Sequence, residues 1–319
     1  MRIRLLAASA ALALGVGALV AAPSPATAGT TPVLFGLTDR WKTEIINDDA
    51  QLRYQSGIVS LFTKMAADKA KRDTVVRWFG WVRDRGGAPM VDLAPPTTAT
   101  LGGIANGSMD GYLRAWATAM KGWGHPILFR LFPEMNTKAH SYAPGSRGQT
   151  ATQFRYAWRH VVKVFRARGA TNVKFVWNPY RWFTGEVSYK AMWPGASYVN
   201  WVGLDGYNFV DSSHPFRWPY ELFAESVKRI RAFAPYKPLI IAEIGCREVA
   251  KKPQWVTVVP GAMQRLGAKA AVWFNEGIWR LDTSGTSLNA ARGMVQASNV
   301  TWAGRWSPAR IDQLVATGS

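Results

Sequence analysis

Short apolar runs alternate with helix-length stretches along this chain, and they do so eight times. The strand candidates are PVLFGLTD (32–39), TVVRWFGW (74–81), APMVDLAP (88–95), HPILFRLF (125–132), VKFVWNPY (173–180), VNWVGLDGY (199–207), KPLIIAEIG (237–245) and AKAAVWFNE (268–276). Most are apolar throughout rather than alternating, which suits parallel strands covered on both faces. Between them lie helical patterns. Phe154, Trp158, Val161, Val162 and Phe165 recur at helical spacing over 151–167, with Thr150 or Thr152 as a cap and Gly169 as a stop. Similar stripes run over 219–234 and 110–121. Eight strand–helix units in a chain of 319 residues predict an α/β fold, a single-domain (β/α)8 TIM barrel. A dinucleotide-binding sheet is disfavoured, because Gly36-Leu37-Thr38-Asp39 after the first run lacks the glycine fingerprint.

The first 28 residues stand apart from that pattern. Arg2 and Arg4 precede an apolar stretch, Leu5 to Ala22, and Ala26-Thr27-Ala28 offers a small-residue cleavage site. This predicts a secretory signal peptide over 1–28, a barrel domain over 29–319, and a secreted, extracellular protein without stable membrane insertion. The formal net charge is +19, yet the basic residues are dispersed and no nucleic-acid motif accompanies them. Such dispersed charge reads as a solvated basic surface, with electrostatic contact with an anionic cell wall as the secondary functional reading and no nucleic-acid partner. Cys246 is the only cysteine, which excludes an intrachain disulfide, and four scattered histidines give no metal-ligand spacing.

In a barrel of this kind the active site lies at the C-terminal ends of the strands. The residues expected there include Asp39, Asp92, Glu134, Asn178, Tyr180, Asp205, Tyr207, Glu243, Trp273 and Glu276. Carboxylates, amides and aromatic rings are the composition of a sugar cleft. Glu134 follows the fourth candidate strand and Glu243 ends the seventh, so the two face each other across the barrel mouth. Two carboxylates so placed are what glycosidic cleavage requires, and a retaining mechanism needs them about 5–5.5 Å apart. Arg130, inside the fourth strand, is expected to pair with a carboxylate in the barrel.

The blocks FRLFPEMN, AWRHVVKVFRARGATNVKFVWNP, YVNWVGLDGYN and KPLIIAEIG together resemble glycoside hydrolase family 26. The resemblance implies a retaining hydrolase with its acid/base on the fourth strand, Glu134, and its nucleophile on the seventh, Glu243. It also implies that Tyr207 hydrogen-bonds the nucleophile and that Trp273 forms a floor for the bound sugar. Asn136, Trp177, Asn178, Tyr180 and Asp205 join Tyr207 and Trp273 as expected substrate-binding residues. The chain departs from the β-mannanases of the family in having Pro133 where they carry a histidine, and in the loop Thr137–Tyr142.

The sequence therefore predicts a secreted retaining hydrolase of a β-linked polysaccharide or oligosaccharide, with no cofactor and no metal. β-1,4-Mannan is the first substrate implied by the resemblance; other β-glucans, xylans or an exopolysaccharide follow. A non-catalytic carbohydrate-binding protein on a degenerate barrel and a basic wall-binding protein remain open alternatives.

Overall fold

Residues 31–39 and 42–319 are described by a computed structural model, in which a closed parallel barrel is built from eight strands. They are β1 (Val33–Thr38), β2 (Ile58–Lys64), β3 (Ala88–Ala94), β4 (Ile127–Leu131), β5 (Val173–Trp177), β6 (Trp201–Asn208), β7 (Leu239–Cys246) and β8 (Ala268–Phe274). Each pairs with its sequence neighbours, and β8 closes onto β1 over five residue pairs from Leu34↔Ala270 to Thr38↔Phe274. Helices cover the outside, giving the (β/α)8 architecture that the strand count predicts. The stretch predicted as a signal peptide lies outside the described residues, and Thr31–Ser319 forms one compact unit. Among the described residues, no helix is long and apolar enough to cross a membrane.

One of the eight expected strands is misplaced. Residues 74–81 are helical, part of Lys69–Asp84, and the second strand lies earlier, at 58–64. The apolar residues of 74–81 are β-rich in type but helical in spacing: Val75, Trp78, Phe79 and Val82 are the buried face. Asp68 starts the helix by accepting a hydrogen bond from the Lys71 amide. The helix expected over 151–167 is found at Ala151–Ala167, opened by a reciprocal capping box between Thr150 and Gln153. The stripes at 219–234 and 110–121 become the helices Pro219–Arg231 and Asp110–Trp123.

Two separate apolar clusters result. Between barrel and helices lies the larger, which takes the outward side chains of the strands. Inside the barrel lies the smaller, with Leu34, Ile58, Met90, Leu128, Val176 and Trp201 among its members. The helix Pro308–Thr317 plugs the bottom of that interior with Ile311, Leu314 and Val315. Trp201 anchors the plug, its indole Nε1 donating to the Val315 carbonyl at 2.9 Å.

Barrel closure is tight at the β1–β2 seam. A two-residue strand, β9 (Val300–Thr301), pairs with the lower half of β1. Only Leu37↔Val59 and Thr38↔Ser60 are left to join β1 to β2. Here the backbones approach so closely that a Cβ on Gly36 would sit 2.2 Å from the Ile58 carbonyl oxygen. Gly36→Ala is therefore expected to cost about 2 kcal/mol or more through overpacking. Scanning calorimetry should show a midpoint several degrees lower than wild type; an unchanged midpoint would mean the seam is slack.

Candidate active site

Successive strand residues point to opposite faces, so the inward positions can be read off each strand. From β3 to β6 the apolar interior residues are followed, two positions on, by polar ones: Asp92 after Met90, Arg130 after Leu128, Asn178 after Val176 and Asp205 after Gly203. Their burial is essentially complete. On β7 the rule is broken, and the break is functional. Ile240 and Ala242 face the interior, yet Glu243 also reaches inward while Ile244 joins the outer cluster. A bulge accounts for this switch of face: β6 pairs Leu204 with Ile241 and Asp205 with Glu243, skipping Ala242. The same extra residue shows against β8, where Ile241↔Ala271 is followed by Ile244↔Trp273.

Arg130 sits at the centre of this polar tier. Nη1 donates to Glu243 Oε1 at 2.6 Å, and Nη2 donates to Asp205 Oδ2. Asp92, directly opposite Arg130 in the β3–β4 register, brings Oδ2 to 3.1 Å from Nη1. Burial disfavours the charge on Arg130, but Asp205, Asp92 and Glu243 outweigh it and hold the guanidinium protonated. Asn178 Nδ2 gives Asp205 Oδ2 a second donor at 2.6 Å. The Tyr207 hydroxyl donates to Glu243 Oε2. Burial, reinforced by the Glu243 and Asp205 charges, raises the Tyr207 hydroxyl well above its usual range, so it remains a donor. Both Glu243 oxygens are thus occupied as acceptors, an arrangement that suits an ionised carboxylate. Each charge-assisted hydrogen bond of this kind contributes about 1.5–3 kcal/mol.

Glu134 reaches the same space from the opposite wall. Strand β4 stops at Leu131 because the chain turns left-handed at Phe132 (φ 51°) and again at Glu134 itself (φ 53°). Such conformations cost about 1–3 kcal/mol for a non-glycine residue and persist only where the surroundings enforce them. Enforcement comes from the Glu134 amide, which donates to the Asn178 carbonyl at 2.8 Å. Thr137 helps, its hydroxyl donating to the Glu134 carbonyl at 3.0 Å. One carboxylate oxygen each from Glu134, Asp205 and Glu243 lie within 4.8 Å of one another. That trio could in principle take a cation, but Arg130 already supplies positive charge to two of its members. His140 Nε2 stands 3.3 Å from Glu134 Oε2.

Comparison with known proteins gives the family. Residues 89–257, more than half of the chain, match the profile of glycosyl hydrolase family 26. The chain belongs to that family. Endoglucanase H of Acetivibrio thermocellus is 33% identical over 250 residues, covering 72% of this chain and 27% of that protein; the chain spans about a quarter of its length. Among solved structures, a family 26 β-mannanase from Bacteroides ovatus gives a TM-score of 0.66 at 14% identity, over 87% of this chain and 92% of that one. The Bacillus subtilis mannanase BCman gives 0.65 at 17% identity, over 86% and 88%. At such identities the likeness to the solved structures is one of fold.

In this family 26 chain the two glutamates open into a cleft of about 1240 Å³. One wall is an aromatic arc. Phe62 meets Phe274 edge-on at 6.3 Å, Phe274 meets Tyr207 at 5.7 Å, and Tyr207 lies 4.8 Å from Trp279 between ring centres. Of the expected substrate-binding residues, Tyr207 lines the cleft and the others do not. Trp177 is fully buried on the outer face of β5, packed edge-on against Tyr189, Trp193 and Phe233, so it has no surface to offer a sugar. Trp273 is likewise buried, against Trp255, and acts at one remove by donating Nε1 to the Trp279 carbonyl at 2.8 Å. Asn178 and Asp205 lie beneath the cleft as partners of Arg130. Asn136 ties two loops together, accepting from the Tyr180 amide at 2.7 Å and donating to Glu186 at 2.6 Å. Tyr180 stacks behind Tyr207, 6.5 Å away.

Phe62 and Phe274 escaped the sequence reading. Phe62 lies on the strand at 58–64, outside the eight expected runs, although the apolar run bounded by Gly57 carries its signal. Phe274 was overshadowed by the adjacent tryptophan.

Asp92 gives the tier a dependence on pH. Its carboxyl is pushed up to about 8, by burial first and by the Glu243 and Glu134 charges, against the pull of Arg130. The folded state then keeps a proton that the unfolded chain releases near 3.8. Stability from this group is complete below that value and is lost as pH rises towards 8. Asp92→Asn removes the titration. Its thermal midpoint should decline less than that of wild type between pH 5 and pH 9, and parallel decline in the two proteins would refute the assignment.

Proposed function

We propose that this chain is a retaining endo-β-glycanase in which Glu134 is the acid/base and Glu243 the nucleophile. The observation that carries the reading is the approach of the two carboxylates to within 4.8 Å across the mouth. That is the close spacing of a double displacement and leaves too little room for the water of an inverting enzyme. In the first step a Glu243 oxygen attacks the anomeric carbon while the glycosidic C–O bond breaks. Glu134 gives its proton to the departing oxygen. In the second step water attacks the same carbon, passes a proton to Glu134, and releases Glu243 as a carboxylate. Arg130 and Tyr207 hold Glu243 in place through both steps.

For the substrate, relatedness favours a β-glucan. The endoglucanase is 33% identical, whereas the mannanases of similar fold are 12–17% identical. β-Mannan remains the second substrate to test. Export of the protein is supported by the charge and apolar pattern of residues 1–28.

The test is a panel of β-glucans, glucomannan, mannan and xylan, with the anomeric configuration of first-formed products read by proton NMR. Retention is expected. Glu243→Ala should have no measurable turnover, and Glu134→Ala should lose about 10²–10⁴-fold on natural glycan. On a 2,4-dinitrophenyl glycoside, whose leaving group departs without protonation, azide should rescue each variant, giving a glycosyl azide of inverted configuration with the first and of retained configuration with the second. Inverted products from wild type, or near-normal activity of either variant, would sink the proposal.

A further inference from the structure

The environment of Glu134 contains one group that this two-carboxylate chemistry leaves unused. His140 places Nε2 3.3 Å from Glu134 Oε2. The imidazole is not loosely placed. It lies face to face with the ring of Tyr142, 5.0 Å between centres and 2° from parallel. Tyr142 is itself fixed: it is buried, it packs 5.6 Å from Phe132, and its hydroxyl donates to the Pro133 carbonyl at 2.7 Å. Burial raises that hydroxyl well above its usual range, so it stays a donor. Phe132, Pro133 and Glu134 are the turn that delivers the carboxylate, and the same Tyr142 grips that turn and supports the imidazole. His140, Tyr142 and Glu134 all line the cleft.

We propose that His140 is a positioning residue for proton transfer. With its hydrogen on Nε2 it donates to Glu134 Oε2, so that the transferable proton resides on Oε1. This rests on the acid/base role proposed for Glu134 and deepens it. In the first step the Oε1 proton moves to the glycosidic oxygen as that bond breaks. In the second, the proton of the attacking water returns to Oε1. The hydrogen on His140 stays where it is throughout, and the imidazole neither gains nor loses a proton. What it contributes is orientation: a half-buried carboxyl that could present either oxygen presents one.

A proton matters only when the leaving group needs one, and this gives a readout that a merely structural residue would not move. The experiment compares kcat/KM on unmodified β-glucan oligosaccharides with kcat/KM on the matching 2,4-dinitrophenyl glycoside, whose phenolate departs without protonation. The proteins are wild type, His140→Ala, His140→Gln and Glu134→Gln. His140→Ala is expected to lose about tenfold or more on the oligosaccharide, in line with one hydrogen bond that becomes charge-assisted as Glu134 gives up its proton. On the dinitrophenyl glycoside it should change less than about threefold. His140→Gln, whose amide can still donate, should recover most of the loss. Equal losses on both substrates, or none on either, would overturn the role of His140. Glu134→Gln separates the two readings: without a strong leaving-group dependence there, the acid/base assignment falls first. A wild-type protein that cleaves neither substrate, nor the mannan equivalents, overturns both.

Discussion

A single guanidinium shared by three carboxylates is the interaction on which the mouth of this barrel depends. Arg130 touches Asp92, Asp205 and Glu243, which arrive on strands β3, β6 and β7. Charging any of these acids in the barrel interior needs a well-placed partner, because desolvating an ion costs several kcal/mol, and even beside Arg130 burial raises the Asp92 and Asp205 carboxyls above their usual range. The strands are therefore coupled electrostatically as well as by their hydrogen-bond ladders. Hydrophobic residues of similar volume could pack the same space at least as stably. Arg130 is thus better understood as fixing where the nucleophile points than as a source of stability.

Reaching that arrangement requires a local breach of strand regularity. Period-two alternation would turn Glu243 towards the helices, since Ala242 before it already faces the interior. The β7 bulge reverses the facing at the one position where the chemistry needs it. Glu134 depends on a breach of another kind, the left-handed turn that stops β4 three residues earlier. Both proposed catalytic carboxylates are therefore placed by irregular backbone supported on regular strands.

This explains what was legible in the sequence. Seven of the eight strand runs, the barrel class and the two glutamates could be read from apolar runs ended by polar residues. The exception, 74–81, has β-branched and aromatic residues in a helical rhythm, and there spacing outweighed residue type. Facing was the harder problem. Trp177 and Trp273 each precede a residue that faces the mouth side of the barrel, Asn178 and Phe274, and so point away from the mouth in space. The cleft aromatics come from neighbouring positions instead: Phe274 next to Trp273, Trp279 on the loop beyond it, and Phe62 from a strand whose run is short. The approach of His140 to Glu134 depends on the path of a loop, which no periodicity encodes.

The plug at the bottom of the barrel carries a consequence for how the molecule is made. Leu34 on the first strand and Leu314 on the last helix belong to one cluster, with almost the whole chain between them. The interior cannot be sealed from water until residues 308–317 have emerged, however early the individual strands pair. Contacts of such long range form late and slowly. Before those residues are made the chain exposes an open apolar bore, so the barrel closes only once the plug helix has been synthesised rather than strand by strand.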